Sequence, residues 1–267
     1  MELLAPGLAI WRNQSYGEVD DEFVLDLWRE RYEADRQTEW TGNPKDGPVA
    51  GHEAAHGPLR CRNIPPGTGG LVRGNKYDDF TFLLQENLFE CLSDYAYKYR
   101  TLHLDLGWQE AHRLLYYYSG AQMGAHSDNT PTRFQDVYGA DVTDPVAPTR
   151  VVCTLQFLTT NEKDFIGGEV YFPFLDVEYR PSKGDTLIWP ANFLHTHSVQ
   201  AVLDGIRITN LSCFCQGDFA KLPWVDQGYG GGRDSDSNIP VQGGNMHIEH
   251  EDLGERLKFK WRSYANS

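Results

Sequence analysis

Hydrophobic and polar residues alternate in short runs over the second half of the chain, and the period of that alternation predicts the elements. Residues 114–118, 151–158, 169–172, 186–189, 196–202 and 207–214 are β-rich runs separated by turn residues. Earlier in the chain the period changes. Phe82, Leu83, Phe89, Leu92 and Tyr95 are spread as the buried stripe of a helix over residues 77–100, with Asp78 or Asp79 at its cap. Phe23, Leu27, Trp28 and Tyr32 predict a second amphipathic helix within residues 20–39. Residues 42–70, rich in Gly, Pro and His, and residues 228–244, rich in Gly and polar side chains, read as irregular segments. Long irregular segments in a compact domain often cover a functional site. Many short strands without helices between them point to a sandwich or jelly roll, mainly β with flanking helices (α+β).

Length and charge narrow the picture. A chain of 267 residues is enough for one substantial domain. It divides into a support region (1–112), a β-core (113–216) and a C-terminal cover segment (217–267). A net charge of −14, with no Lys/Arg cluster, argues against nucleic acid or an anionic membrane as partner. The five cysteines are odd in number and lack a Cys-x-x-Cys pair, which suits a reducing compartment. With no charged leader and no long apolar run, the expected location is cytoplasmic.

The chemistry gathers at His126-Ser127-Asp128, His197 and Arg207. On an extended strand residues i and i+2 share a face, so His126 and Asp128 can reach one ion. Two histidines and a carboxylate are the ligand set of a non-haem Fe(II) site with open positions. Leu203-Asp204-Gly205 is a hairpin signal, predicted to set Arg207 beside His197 on the adjacent strand. Arg207 stands between Ile206 and Ile208, which predicts a partly buried strand where a guanidinium needs an anionic partner. Thr209, on the same face, adds a hydroxyl. A metal and a guanidinium placed this way would clamp a short dicarboxylate.

Taken in order, Tyr117, Gly120, His126 and Asp128, then Gly167-Gly168-Glu169-Val170-Tyr171-Phe172-Pro173, then Pro181-Ser182-Lys183-Gly184-Asp185, then His197 and Arg207, resemble a known family. Over residues 113–214 the chain resembles a 2-oxoglutarate/Fe(II)-dependent dioxygenase of the prolyl 4-hydroxylase-like branch. The resemblance implies a double-stranded β-helix (jelly roll, cupin-like). It makes His126, Asp128 and His197 the metal ligands, and Arg207, Tyr117 and Thr209 the cosubstrate residues. Fe(II), 2-oxoglutarate and O2 are the implied cofactors, with ascorbate as an accessory. The implied reaction hydroxylates an unactivated C–H bond as 2-oxoglutarate becomes succinate and CO2. Asp128 favours hydroxylation over halogenation, since related halogenases replace this carboxylate with a small residue.

The implied substrate is a prolyl residue in a peptide or protein, with a free amino acid or other small molecule as the alternative. A metal-dependent isomerase or O2-only dioxygenase, and a non-catalytic jelly-roll metal-binding module, are the rival classes. His195 competes with His197 as ligand, both being placed on one strand face; the ten-residue spacing to Arg207 favours His197. That leaves His195 as pocket wall or as support behind the ligands. Three departures bear on the substrate: Arg207 where collagen-type members usually carry Lys, Met123 where the family has Tyr, and Cys153 where many members have Thr. Asn129, Arg133, Arg150, Tyr116 and Trp189 are candidates for the substrate side, although Arg150 is most simply a solvated strand-end charge. Gly167-Gly168 reads as a turn and Glu169 as structural. His52, His56, His247 and His250 read as surface residues, with His247, Glu249 and His250 as an alternative second metal set.

Overall fold

The computed structural model describes residues 1–14, 59–60, 76–100, 102, 106–110, 113–130, 133–135, 141–143, 147–217 and 247–249. In chain order these form β1 (Glu2–Ala5), β2 (Leu8–Trp11), β3 (Leu59–Arg60), helix α1 (Lys76–Lys98), β4 (Trp108–Glu110), β5 (Arg113–Tyr118), β6 (Met123–His126), β7 (Arg133–Gln135) and β8 (Asp141–Thr143). They continue with β9 (Arg150–Phe157), β10 (Phe165–Gly167), β11 (Val170–Phe172), β12 (Val177–Tyr179), β13 (Thr186–Pro190), β14 (His197–Val199), β15 (Val202–Cys215) and β16 (His247–Glu249).

Every ladder between these strands is antiparallel. The large sheet runs β1-β2-β13-β9-β15. The other edge of β15 is shared in succession by β10, β5 and β4, with β3 outside β5 and β16 outside β4. The small sheet runs β12-β11-β14-β6, and β7 pairs with β8 alone. The two larger sheets face one another as a jelly roll, the double-stranded β-helix expected.

Period-2 alternation explains how one sheet serves two cores. Cys153, Leu155, Phe157, Leu187, Trp189 and Cys213 point inward, where they meet Val170, Phe172 and Tyr179 of the small sheet. Their neighbours Val152, Ile188 and Phe214 point outward, onto Leu88, Phe89, Leu92 and Tyr95 of α1. Each of those apolar side chains contributes about 1.5–3 kcal/mol when fully buried. The outward face also carries buried polar groups, and they are paired: Gln156 Nε2 donates to the Leu84 carbonyl at 3.0 Å, and Asn210 Nδ2 to Gln156 Oε1 at 2.7 Å.

Several expectations are corrected. Helix α1 starts at Lys76, so Asp78 and Asp79 lie inside its first turn and neither is the cap. Its buried face runs through Leu84, Leu88, Cys91, Leu92 and Tyr95, while Leu83 is only half-buried. Leu203-Asp204-Gly205 is not a hairpin turn. These residues lie within β15, where Asp204 and Gly205 pair with Ile166 and Phe165 of β10. A Cβ at Gly205 would stand 2.2 Å from the Asp164 carbonyl oxygen, so this glycine permits a close backbone approach. The chain turns instead at Gln200-Ala201, and β14 and β15 belong to different sheets.

Residues 8–11 form a strand with no counterpart in the predicted elements. Leu8, Ala9, Ile10 and Trp11 are all buried, because β2 is covered on both faces and has no polar alternation to reveal it. Within the segment 42–70, Leu59–Arg60 pairs with β5. The predicted helix at 20–39, the remainder of 42–70, the segment 228–244, His52, His56 and His250 lie outside the described residues. No described helix is long and apolar enough to cross a membrane.

Candidate metal centre

His126 and His197 are partners across the β6–β14 ladder, and their ring centroids lie 4.5 Å apart. Strand β6 ends at His126, so Asp128 sits in the following turn rather than on the strand. Its carboxylate still meets both rings: His126 Nε2 is 3.8 Å from Oδ1, and His197 Nε2 is 3.9 Å from Oδ2. One donor atom from each of the three residues falls within 4.8 Å of the others. A divalent ion takes N and O ligands at about 2.0–2.2 Å, so donors spaced this way can lie around one ion.

Each ring presents the nitrogen a metal needs. His126 Nδ1 is 2.9 Å from the Gly124 carbonyl oxygen, and His197 Nδ1 is 3.1 Å from that of His195. Both Nδ1 atoms therefore carry the proton and donate it, which leaves Nε2 bare. Burial holds the His197 ring below the usual histidine range, outweighing the attraction of Asp128, so it is neutral. Burial alone would raise the Asp128 carboxyl, but the two histidines, Arg150 and the Trp189 indole together hold it below the usual range. The His126 side chain is 35% exposed against 5% for His197, so the centre opens to solvent on the His126 side.

His195 does not share a strand face with His197. It ends a 3-10 turn, Phe193–His195, and its ring turns away: Nδ1 lies 2.9 Å from Asn192 Oδ1, and Nε2 lies 3.0 Å from the Pro6 carbonyl. It supports the site through its own carbonyl, which orients His197.

Two residues expected on the substrate side lie behind Asp128 instead. Trp189 Nε1–H donates to Asp128 Oδ2 at 3.0 Å. Arg150 is no solvated charge: its Nη1 donates to the Asp128 carbonyl at 2.9 Å, and its Nε and Nη2 both reach the carboxylate of Glu110, which is fully buried. Glu110 gave no sequence signal, being one acid on a three-residue strand. Of the other substrate-side candidates, Tyr116 is fully buried, Asn129 accepts from Ser127 Oγ at 2.8 Å, and Arg133 lies on the separate β7–β8 pair.

Arg207, Thr209 and Cys213 occupy the inward face of β15. Arg207 is 0% exposed, and none of its three guanidinium nitrogens has a hydrogen-bond partner among the described residues. Thr209 Oγ1 is likewise buried without a partner. Tyr117 lies directly opposite Arg207 on β5, and the phenol oxygen is 3.9 Å from Met123 Sδ. Burial pulls the guanidinium below its ordinary range, with Tyr117 and Glu169 acting against that pull. Gly168 abuts the same side chain: its φ is +67°, and a Cβ there would stand 2.9 Å from Arg207 Cδ. The Gly-Gly pair thus enters strand β11 as expected and also makes room for the arginine.

No protein-family model matches the chain, and no curated protein does. Among solved structures, it is similar to a viral collagen prolyl hydroxylase from Paramecium bursaria Chlorella virus-1 in its 2OG complex, at 14% identity. That match covers 79% of this chain and 97% of that one, with a TM-score of 0.47. It is similar also to a Trichoplax adhaerens prolyl hydroxylase in complex with a hypoxia-inducible factor oxygen degradation domain peptide fragment. There the identity is 13%, the coverage 79% and 84%, and the TM-score 0.48. A Burkholderia pseudomallei oxidoreductase of the 2OG-Fe(II) oxygenase family gives 11%, 80%, 86% and 0.45 for the same quantities.

Proposed function

We propose that the chain is a 2-oxoglutarate- and Fe(II)-dependent dioxygenase that hydroxylates an unactivated C–H bond. The observation that carries this reading is the orphaned polar surface beside the three-ligand cluster. A buried guanidinium with no partner is costly unless an anion joins it, and a bidentate carboxylate is its best complement. Arg207 and Thr209 supply five N–H donors and a hydroxyl to such a carboxylate. A bare metal-binding module has no need of them.

In this reading His126 Nε2, Asp128 and His197 Nε2 hold Fe(II). Arg207 and Thr209 bind the distal carboxylate of 2-oxoglutarate, and the Tyr117 ring forms the floor beneath the guanidinium. Bound iron and 2-oxoglutarate supply O2 activation and C–H hydroxylation, with succinate and CO2 as coproducts and ascorbate as an accessory reductant. The apolar shell of Leu115, Phe165, Val199 and Val202 excludes water from the inner end. The open side at His126 is where the target C–H bond approaches.

The motif order favours a prolyl residue in a peptide or protein as substrate, with a free amino acid or other small molecule as the alternative. The same reading takes the chain as one catalytic domain of the cytoplasm. The four described cysteines are free and buried, as reducing conditions leave them. Anaerobic titration tests the chemistry: Fe(II) and 2-oxoglutarate together should give a visible charge-transfer band that neither gives alone. Absence of the band would overturn the reading. A succinate-release screen over proline-containing peptides and free amino acids then assigns the substrate.

A further inference from the structure

We infer that Met123 is an oxidation site that controls the cosubstrate pocket: as the sulfoxide it captures the Tyr117 hydroxyl and withdraws it from 2-oxoglutarate. The effect on 2-oxoglutarate rests on the oxygenase reading above; the capture of the phenol does not.

Met123 opens β6, opposite Val199 of β14. The residue is partly exposed, and Gln122, Gly124 and Ala125 around it are exposed. A Cβ at Gly124 would meet nothing within 4 Å, so a small oxidant such as a hydroperoxide has a route to this strand. On its inner side Met123 packs against Leu115, Tyr117, Phe165, Val199 and Val202. The cysteines are poorer targets. Cys91, Cys153, Cys213 and Cys215 are all buried, and burial raises the thiols of Cys91, Cys153 and Cys215.

The Tyr117 hydroxyl donates to Met123 Sδ at 3.9 Å, a long bond to a weak acceptor. Tyr117 is also the cross-strand partner of Arg207, so the same phenol lies beside a carboxylate held by that guanidinium. Oxidation changes the balance between the two acceptors. The sulfur lone pair takes one oxygen of the hydroperoxide as the O–O bond breaks. The sulfur is oxidised to the sulfoxide, the peroxide is reduced, and the other oxygen leaves with the proton as an alcohol, or as water from hydrogen peroxide. A sulfoxide oxygen directed at the phenol spans much of the gap, and an O–H···O bond closes at about 2.7–2.8 Å. A thioether that held the hydroxyl weakly becomes a polar group that holds it firmly.

Zinc(II)-loaded wild type treated with hydrogen peroxide is the test sample, since zinc takes no part in redox chemistry. Peptide mapping should find one added oxygen on Met123, ahead of any on the four buried cysteines. Calorimetry should then show 2-oxoglutarate binding about tenfold weaker than before treatment, the loss of one hydrogen bond to a charged group. Met123→Leu should bind 2-oxoglutarate as untreated wild type does and lose nothing on treatment. In Tyr117→Phe the affinity starts lower, and oxidation of Met123 should weaken it no further. A general disturbance of β6 would not spare that variant. An unoxidised Met123, or an equal loss in Tyr117→Phe, would overturn the inference. The near-ultraviolet tyrosine spectrum needs no cosubstrate: oxidation should shift it in wild type and not in Tyr117→Phe. If untreated wild type bound no 2-oxoglutarate, the oxygenase reading would fall, while that spectrum would still decide whether the sulfoxide holds the phenol.

Discussion

Arg207 and Tyr117 are direct partners across the β5–β15 ladder, and the guanidinium carbon sits 4.7 Å from the centre of the phenol ring. Phe157 flanks the same group at 5.4 Å. Two aromatic faces offset part of the desolvation of this cation. Among the described residues its three nitrogens have no hydrogen-bond partner.

That arrangement sets function against stability. Arg207→Met should stabilise the ligand-free fold by about 1–4 kcal/mol, the range seen when buried ionic groups give way to apolar ones of similar volume. The variant should also lose 2-oxoglutarate. Each hydrogen bond to a charged group contributes about 1.5–3 kcal/mol, so affinity should drop at least tenfold. Thermal unfolding with and without 2-oxoglutarate reads both effects. A less stable variant that 2-oxoglutarate still stabilises would contradict the assignment.

Gly168→Ala should act on Arg207 from behind. A methyl group there meets Cδ of the arginine and Val202 Cγ2 at 2.9 and 3.0 Å, at a backbone φ of +67°. The strain should cost about 1–3 kcal/mol. Calorimetry should show weakened 2-oxoglutarate binding with Fe(II) affinity intact. Equal losses of both would mean that the glycine serves the fold alone.

The Glu110–Arg150 pair should be intolerant of single changes. Glu110→Ala leaves a largely buried guanidinium with the Asp128 carbonyl as its remaining named partner, and should cost about 3–5 kcal/mol. Changing both residues to apolar ones of similar volume should recover most of that loss. Urea unfolding of the two singles and the double completes the cycle. Additive losses would show that the pair is not coupled.

Acid should weaken the fold in two stages. Burial holds folded His197 below 6.5, so as pH falls through 6.5 the unfolded chain takes up a proton that the native ring refuses. His197 therefore leaves stability undiminished above that value and lowers it as pH falls toward the folded pKa, by up to about 1.4 kcal/mol per pH unit. Asp128, held below 3.8, adds a second loss beneath that value, completed as pH drops through its folded pKa. Urea midpoints measured from pH 8 to 3 should decline in that order for metal-free protein. His197→Asn should flatten the first stage, and midpoints that rise between pH 7 and 5 would contradict the account.

What the sequence made legible was whatever repeats locally. The strand runs around Val152, Ile188 and Ile208 alternate with the pleat, and the helix ending at Lys98 keeps its own period. The positions of His126, Asp128, His197 and Arg207 could be read because their chemistry is unusual for a strand-rich core. Other features depend on contacts that no local pattern encodes. Leu8 to Trp11 lack alternation because both faces are covered. Gly205 resembles a turn residue, yet its role is to let the Asp164 carbonyl approach. Glu110 and Trp189 acquire their roles only when β4 and β13 are folded against the turn that carries Asp128.

The pairing of Trp11 with Thr186 also bears on how the chain is made. These partners are 175 positions apart (186 − 11). At about 5–20 residues per second, a ribosome needs roughly 10–35 s to traverse that distance. Strand β2 emerges early and must wait, with Leu8 and Ile10 uncovered, until β13 arrives to seat it. The sheet that presents Trp189 to Asp128 therefore gains its β2 neighbour only after most of the β-core has been synthesised, and a holding chaperone has a target in the apolar run Leu8 to Trp11.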